Sequence, residues 1–217
     1  MSEPMRHIRP YQIFTLLDSS PAARVVSVKI PERRDILTLE TLLLLAIAKI
    51  INARRAFEFG TFYGSTTLNL ALTIPKVYTL DLPRDESDAV LSQADAPIMR
   101  DHFERTKMDF EGSSAEARIT RLYGNSREFN FSRWKEWIDL VFIDGGHDIE
   151  TVKADTAAAL RMVTENGCIA WHDYANPDYP ELTAFLGSMD VFHVEETSLC
   201  LRFTDARLNE RIGASNV

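Results

Sequence analysis

Five short runs that favour β-strands in this 217-residue sequence each end in residues that could bind a ligand or transfer a proton. These endings are Glu58 to Thr67, Asp81, Gly124 to Ser126, Asp144 to His147, and His172 to Tyr174. Carboxylates and imidazoles can bind hydroxyl groups and move protons, and glycines let the backbone approach a ligand closely. In an open α/β sheet, ligands bind where the carboxyl ends of parallel strands meet. If the five runs are such strands, the sequence predicts one site built from all five endings.

Four residues of these endings are the candidate catalytic groups: Asp144, His147, His172 and Asp173. A carboxylate at the end of a buried strand is costly unless it is paired or faces a cleft, which favours a functional role for Asp144. His147 could instead cap the following helix, and Asp173 could start a turn. Both roles stay open for these two residues.

The first ending contains a glycine loop that suits a ligand with a carboxylate. Gly60 and Gly64 allow close backbone approach, and N–H groups at the start of the following helix could bind the carboxylate. Asp81 lies 23 residues after Glu58, where it could accept hydrogen bonds from a ribose diol. The dinucleotide fingerprint G-x-G-x-x-G is absent, because three residues separate the two glycines and no third glycine follows. A pyrophosphate cradle is therefore disfavoured.

Hydrophobic periodicity predicts alternating strands and helices. The predicted strands are 56–59, 77–80, 119–123, 139–143, 168–171, 191–195 and 199–203. The predicted helices are 36–53, 65–73, 89–106 with an interruption at Pro97, 149–164 and 181–186. Alternating elements that close with a pair of strands are typical of an α/β fold whose parallel sheet has an antiparallel edge.

The motif residues resemble those of the class I S-adenosylmethionine-dependent methyltransferases, in the small O-methyltransferase-like branch. The first motif of that superfamily, E/D-x-G-x-x-x-G, matches Glu58, Gly60 and Gly64, and the segments YTLDL, VFIDGGH and WHDY extend the likeness. It covers roughly residues 36–203. The resemblance implies a Rossmann-like, doubly wound, mostly parallel seven-stranded sheet with an antiparallel final strand and helices on both faces.

The resemblance also implies roles for single residues, with S-adenosyl-L-methionine as the cofactor. The implied cofactor-binding residues are Glu58, Gly60, Thr61, Tyr63, Gly64, Ser65, Thr66, Asp81, Asn125, Ser126 and Asp144. The glycine loop would wrap the amino-acid part of the cofactor, and Asp81 would hold the ribose hydroxyls. Asn125 and Ser126 would lie beside the adenine, although the family often has an acidic residue at the position of Asn125. A methyl group would pass to a small-molecule acceptor, with oxygen favoured as the acceptor atom.

A divalent metal such as Mg²⁺ is compatible with this resemblance but is not assigned. In metal-dependent relatives, carboxylates at the positions of Asp144 and Asp173 bind an ion that lowers the pKa of the acceptor hydroxyl. This sequence departs from the catechol-type pattern, because Tyr174 stands where an amide ligand is expected.

Composition excludes several other classes of function. The 24 Lys and Arg residues against 32 Asp and Glu residues give a net charge of −8, which opposes a broad contact with nucleic acid or an anionic membrane. The longest apolar run, residues 42–48, is far below a membrane span. Cys168 and Cys200 are far apart and lack metal-ligand spacing, which indicates reduced thiols and a cytoplasmic location.

The length predicts one methyltransferase domain over residues 36–205, with an N-terminal extension, 1–35, and a C-terminal tail, 206–217. Residues 1–35 and 83–118 lie outside the core units and could build a lid or a homodimer contact. Two alternative functions fit the same fold: a nicotinamide-dependent oxidoreductase, which the absent fingerprint opposes, and a non-catalytic ligand-binding protein.

Overall fold

The computed structural model describes residues 5–18, 28–29, 38–83, 95–96, 99, 102 and 107–214. Eight strands, six α-helices and two short 3₁₀ helices, Glu116–Arg118 and Ser132–Trp134, have their bounds in these residues. The strands are β1 (Arg6–Ile8), β2 (Arg55–Phe59), β3 (Lys76–Asp81), β4 (Ile119–Tyr123), β5 (Ile138–Ile143), β6 (Val163–Trp171), β7 (Phe192–Val194) and β8 (Cys200–Phe203). The helices are α1 (Pro10–Asp18), α2 (Thr38–Ile50), α3 (Ser65–Thr73), α4 (Ile149–Met162), α5 (Pro180–Gly187) and α6 (Ala206–Ala214).

All eight strands form one sheet in the order β1-β7-β8-β6-β5-β2-β3-β4. β8 is antiparallel to its neighbours β6 and β7, and every other pair is parallel. The chain winds outward from β2 through β3 to β4, then returns to β5 on the other side of β2. The predicted doubly wound sheet with a reversed final strand is confirmed. β1, from the segment predicted as an extension, adds an eighth strand at the edge.

Both faces of the sheet are covered, because neighbouring residues of the central strands enter different apolar clusters. Ala56 and Leu140 pack in the cluster that contains α1, α2, α3 and α6, whereas Phe57 and Val141 pack in the cluster that contains α4 and α5. Successive side chains of a strand point to opposite faces, so a strand buried on both faces is apolar throughout. This explains why residues 140–143 of β5 are all apolar.

Helix α4 begins where the sequence predicts and ends two residues early. Asp148 caps it by accepting a hydrogen bond from Thr151 N at 3.1 Å. The helix stops at Met162 because β6 starts at Val163 and pairs with Ile138 of β5. The short loop after β5 therefore ends in the N-terminus of a capped helix.

The two ends of the described chain pack against each other. The Gln12 side chain in α1 donates a hydrogen bond to the carbonyl oxygen of Ile212 in α6, at 2.8 Å, and both residues are buried. The segment predicted as a C-terminal tail thus contains a packed helix. Most of the predicted helix 89–106 and much of the proposed lid lie outside the described residues. Among the described helices, none combines the length and apolar character needed to cross a membrane.

Candidate active site

Four backbone hydrogen bonds join the endings of the five neighbouring strands β6, β5, β2, β3 and β4. These bonds run from Gly60 N to Leu80 O (2.9 Å), from Gly124 N to Asp81 O (3.0 Å), from Asp144 N to Phe59 O (3.0 Å) and from His172 N to Ile143 O (3.0 Å). Each bond continues the pairing of the sheet by one residue beyond a strand end. The endings of β2 to β6 therefore form one rigid rim, as the sequence predicts.

A cavity of about 410 Å³ opens at this rim. The predicted residues that line it are Glu58, Gly60, Thr61, Thr66, Asp81, Asn125, Ser126, Asp144, His147, His172 and Asp173. We call the ends of β2, β3 and β4, with Glu58, Gly60, Thr61, Asp81 and residues 124–126, the glycine-loop side. We call the ends of β5 and β6, with Asp144, His147, His172 and Asp173, the histidine side. The volume is in the range of small-molecule sites.

Three predicted cofactor-binding residues are not among those that line the cavity. Tyr63 is 5% exposed, and its carbonyl oxygen accepts a hydrogen bond from Asp109 N at 3.0 Å. The Ser65 hydroxyl donates to Asp109 Oδ2 at 2.6 Å. Gly64 precedes α3 with a φ of 80°, and a Cβ there would lie 2.6 Å from the Phe110 ring. These three residues therefore pack the loop against residues 108–110 in this structure.

Gly60 is required by a close approach between the two sides of the cavity. Its φ is +88°, and a Cβ at this position would lie 2.0 Å from the carbonyl oxygen of Asp144. No side chain fits in that space, and residues other than glycine rarely adopt this φ. The glycine loop therefore allows the end of β2 to lie directly on the end of β5.

Glu58 is a buried carboxyl group held by two threonine hydroxyls. It is 1% exposed, and its Oε2 accepts hydrogen bonds from Thr67 Oγ1 and, at 2.6 Å, from Thr79 Oγ1. Burial raises the pKa of Glu58 to about 8, although the two hydrogen bonds oppose the shift. Glu58 is thus largely neutral at pH 7, and it links β2, α3 and β3 below the glycine loop.

Asp81 lines the glycine-loop side of the cavity and is held by the side chains of His102 and Arg121. Its Oδ2 lies 3.0 Å from His102 Nε2 and 3.3 Å from Arg121 Nη2. Asp81 is 5% exposed, and both of these contacts are to the same carboxylate oxygen. Its Oδ1 is therefore the oxygen that a ligand hydroxyl could reach.

On the histidine side, His172 contacts three carboxylates. Its Nδ1 lies 3.0 Å from Asp173 Oδ2 and 3.2 Å from Asp144 Oδ1, and its Nε2 lies 3.3 Å from Glu40 Oε2. Glu40 is a buried residue of α2 whose Oε1 accepts from Ser198 N and Oγ at 2.7 and 2.8 Å. Burial alone would lower the pKa of His172, but the three carboxylates raise it far above its usual range. His172 is therefore an imidazolium.

His147 is the second cation of the histidine side. Its Nε2 lies 2.9 Å from Asp173 Oδ2, and its Nδ1 lies 2.6 Å from Asp95 Oδ1. Its ring stacks on the ring of Tyr179, with centroids 4.0 Å apart and planes 3° from parallel. Burial would lower the pKa of His147, but the hydrogen bonds and charges of Asp173 and Asp95 raise it to about 10.

The same neighbours keep Asp173 ionised. Burial would raise the pKa of Asp173, but hydrogen bonds and charges from His147 and His172 hold it far below its usual range. Asn176 Nδ2 also donates to Asp173 Oδ1 at 2.9 Å. An amide side chain therefore lies beside this carboxylate, although Tyr174 stands where the catechol-type pattern has an amide metal ligand. With both imidazoles protonated, only a carboxylate of this side can accept a proton.

The spacing of three groups on the histidine side fits a divalent ion. Asp144, His147 and Asp173 can each offer one ligand atom, and these atoms lie within 4.8 Å of one another. An imidazole must lose its proton to bind a metal, so an ion would compete with the proton on His147. One nitrogen with two carboxylates suits Mn²⁺, Fe²⁺ or Zn²⁺ better than Mg²⁺, which prefers oxygen ligands.

Besides His102 and Arg121 beside Asp81, five residues of the site were not predicted from the sequence: Glu40, Asp95, Asp155, Asn176 and Tyr179. For two of them a signal exists in the sequence. Glu40 is the acidic residue of a largely apolar helix, TLETLLLLAIAKI, and Asp155 shares the buried face of α4 with Val152 and Ala159. A carboxyl group on a buried helix face needs a partner or a ligand. No local pattern distinguishes the other three residues.

Comparison with protein families gives a match to a family described as "Methyltransferase domain", over residues 57–174. The matched segment is more than half of the chain and contains the strand endings from Glu58 to Asp173. Comparison with curated proteins gives no match.

Solved structures share the fold at low sequence identity. Cofactor-bound Rv0187 from MTB is 17% identical, with 90% of this chain and 89% of that chain covered and a TM-score of 0.53. An SAH-bound methyltransferase from Podospora anserina is 14% identical, with 92% and 91% covered and a TM-score of 0.51. An O-methyltransferase from Bacillus cereus in complex with SAH is 15% identical, with 88% of both chains covered and a TM-score of 0.51.

Proposed function

The chain belongs to the methyltransferase-domain family, and from this premise we propose that it transfers the methyl group of S-adenosylmethionine to an oxygen of a small-molecule acceptor. One observation carries the proposal. The glycine loop, Asp81 and the Asp144 network line a single cavity, with the two sides in backbone contact at Gly60. A cofactor and an acceptor bound there would lie side by side, as a direct transfer requires.

The glycine-loop side suits the cofactor. The amino-acid part would lie along Gly60, Thr61 and Thr66 at the start of α3, where backbone N–H groups favour a carboxylate. The free oxygen of Asp81 would accept from the ribose hydroxyls, and the loop 124–126 would flank the adenine. Two structural neighbours that contain SAH, the demethylated product of this cofactor, support the choice of cofactor.

The histidine side would handle the acceptor hydroxyl. During transfer the acceptor oxygen forms a bond to the methyl carbon, the carbon–sulfur bond breaks with its electrons on sulfur, and the hydroxyl proton must go to a base. His147 and His172 are already protonated, and Asp173 is held by both of them. The Asp144 carboxylate is paired with one imidazolium, His172, whereas Asp173 is paired with two, so we assign the proton to Asp144. His147, His172 and Asp173 would position it.

A metal-assisted form of the same reaction is a second candidate, favoured by the ligand spacing of Asp144, His147 and Asp173. A bound divalent ion would supply a Lewis acid that lowers the pKa of the acceptor hydroxyl. Turnover in the presence of EDTA, with Mg²⁺ and Mn²⁺ added back separately, distinguishes the two forms. Full turnover in EDTA would reject the metal.

The proposed function is tested by binding first and turnover second. S-adenosylhomocysteine at 100 times its Kd should stabilise the protein by about 2.7 kcal/mol in thermal unfolding, whereas NAD should leave the Tm unchanged. A panel of phenols, catechols and sugar hydroxyls with S-adenosylmethionine should then release S-adenosylhomocysteine for at least one acceptor. Stabilisation by NAD alone would favour the oxidoreductase, and cofactor binding without turnover would favour the non-catalytic alternative.

We propose a reducing, cytoplasmic setting, because Cys168 and Cys200 are both free and buried. We also propose a homodimer contact or lid formed by residues 1–35 and 83–118, and sedimentation of the purified protein tests the homodimer.

A further inference from the structure

A buried carboxylate oxygen on α4 has no hydrogen-bond partner among the described residues. Asp155 is 1% exposed, and its Oδ1 is fully buried without a partner. Burial raises the pKa of Asp155 to about 7, although a hydrogen bond with the Ser126 side chain opposes the shift. Buried polar atoms in native proteins are nearly always hydrogen-bonded, so an acceptor in this state indicates that something else satisfies it.

The position of Asp155 indicates what that partner is. Asp155 lines the same cavity as the proposed cofactor site. It interacts with Ser126 in the loop after β4, and its Oδ2 lies 3.4 Å from the point where a Cβ on Gly145 would stand. Its carboxyl group therefore lies between the loops that follow β4 and β5, next to the loop that flanks the proposed adenine position.

The side chain expected to contact the adenine is engaged elsewhere. Asn125 Oδ1 accepts a hydrogen bond from Arg127 N at 3.1 Å, which holds it in a local turn. The acceptor oxygen of Asn125 is thus used within its own loop. Asp155 Oδ1 is a nearby buried acceptor that has no partner among the described residues.

We propose that Asp155 recognises the adenine of the cofactor by accepting a hydrogen bond from its exocyclic amine at Oδ1. This inference rests on the proposed function, because it takes the adenosyl cofactor as the ligand. It assigns to a helix residue the acidic contact that the family often has at the position of Asn125. A carboxylate accepts from a 6-amino group but repels a 6-oxo group, so Asp155 would also exclude inosine-type and guanosine-type cofactors.

The test compares S-adenosylhomocysteine with S-inosylhomocysteine by calorimetry at about pH 8.5, above the pKa of about 7, so that Asp155 is a carboxylate and cannot donate to the 6-oxo group. The two ligands differ at this position of the base. The wild-type protein should bind the adenosyl compound roughly tenfold to hundredfold more tightly, because the 6-oxo base leaves a buried acceptor unsatisfied. In Asp155→Asn the side-chain amide can donate to the 6-oxo group, and the ratio should fall to within about threefold of one. Glu150→Gln, an exposed site on the same helix, should keep the wild-type ratio.

Three results would overturn the proposal in different ways. An unchanged ratio in a folded Asp155→Asn variant would show that another group reads the base. Equal affinities of the wild-type protein for the two compounds would reject recognition at this position. This measurement does not depend on the folding of a variant. Binding of neither nucleoside by the wild-type protein would reject the proposed function itself and the inference with it.

Discussion

The two sides of the cavity are held together by different forces. The glycine-loop side depends on backbone geometry at Gly60 and on threonine hydroxyls around a mostly neutral Glu58. The histidine side depends on two imidazolium cations shared among Asp95, Asp144, Asp173 and Glu40. One side is therefore fixed by the local path of the chain, and the other by charges that pH can remove. Four predictions test this difference.

Gly60→Ala should break the contact between the two sides. The added Cβ would meet the Asp144 carbonyl oxygen at 2.0 Å in a backbone conformation that alanine rarely adopts. We expect the free energy of unfolding in urea to fall by about 3–5 kcal/mol. The control is Gly213→Ala, since a Cβ there meets nothing within 4 Å and lies in α6. It should be neutral or stabilise by roughly 0.5–1 kcal/mol, and equal losses in both variants would contradict the role of Gly60.

His147→Asn should remove the pH sensitivity of the histidine side. The pKa of His147 is about 10 in the folded protein, above the ordinary value of 6.5. Its stabilisation is complete below about pH 6.5 and is lost as pH rises toward 10. We expect the wild-type free energy of unfolding to fall by about 3 kcal/mol over this window, and that of the variant to fall clearly less.

The thiols of Cys168 and Cys200 add to the decline at high pH, because burial raises their pKa as well. Both proteins contain these thiols, so the difference between the two stability curves isolates His147. Parallel curves from pH 6.5 to 10 would show that Asp95 and Asp173 do not hold a proton on this ring.

Glu58→Gln probes the glycine-loop side in a lower pH window. Burial raises the pKa of Glu58 from 4.5 to about 8, so its neutral form stabilises the fold fully below about pH 4.5. That stabilisation is lost as pH rises through 8. We expect a decline of about 2 kcal/mol between pH 5 and 8 in the wild-type protein that the glutamine variant lacks. The free energy of unfolding is measured in urea at pH 5, 6.5 and 8. If it changes equally with pH in both proteins, Glu58 is ionised in the folded state.

Asp81→Asn should affect ligand binding with little change in the loops around it. Loss of a charged acceptor for the ribose should weaken S-adenosylhomocysteine binding by about 1–2 kcal/mol in calorimetry. Asp190→Asn is the control, because Asp190 forms an exposed ion pair with Arg6 at the sheet edge. An Asp81 variant that binds as tightly as this control would remove Asp81 from the cofactor site.

The glycine-loop side could be predicted from the sequence because its signals are local. The strand endings, Gly60 and Asp81 follow from periodicity and from glycine positions within about 25 residues of one another. The packing of Tyr63, Gly64 and Ser65 could not be predicted in this way. They lie against residues 108–110, and nothing in the glycine motif predicts that contact.

The histidine side could be predicted only in part, because its partners come from distant segments. Asp144, His147, His172 and Asp173 were predicted to lie together, but Glu40 is 132 residues from His172 and Asp95 is 52 residues from His147. An ion pair across such distances leaves no periodic pattern in a single sequence. The protonation of both imidazoles, which depends on these partners, could not be predicted either.

The contact between Glu40 and Ser198 bears on how the protein is made. A ribosome synthesises Glu40 158 residues before Ser198 and 132 residues before His172. Until the last quarter of the chain emerges, the carboxylate in α2 has neither of these partners and cannot be buried without a large penalty. The nascent chain should therefore keep α2 undocked until synthesis is almost finished, and products truncated before residue 198 should be recognised by cellular proteases as unfolded.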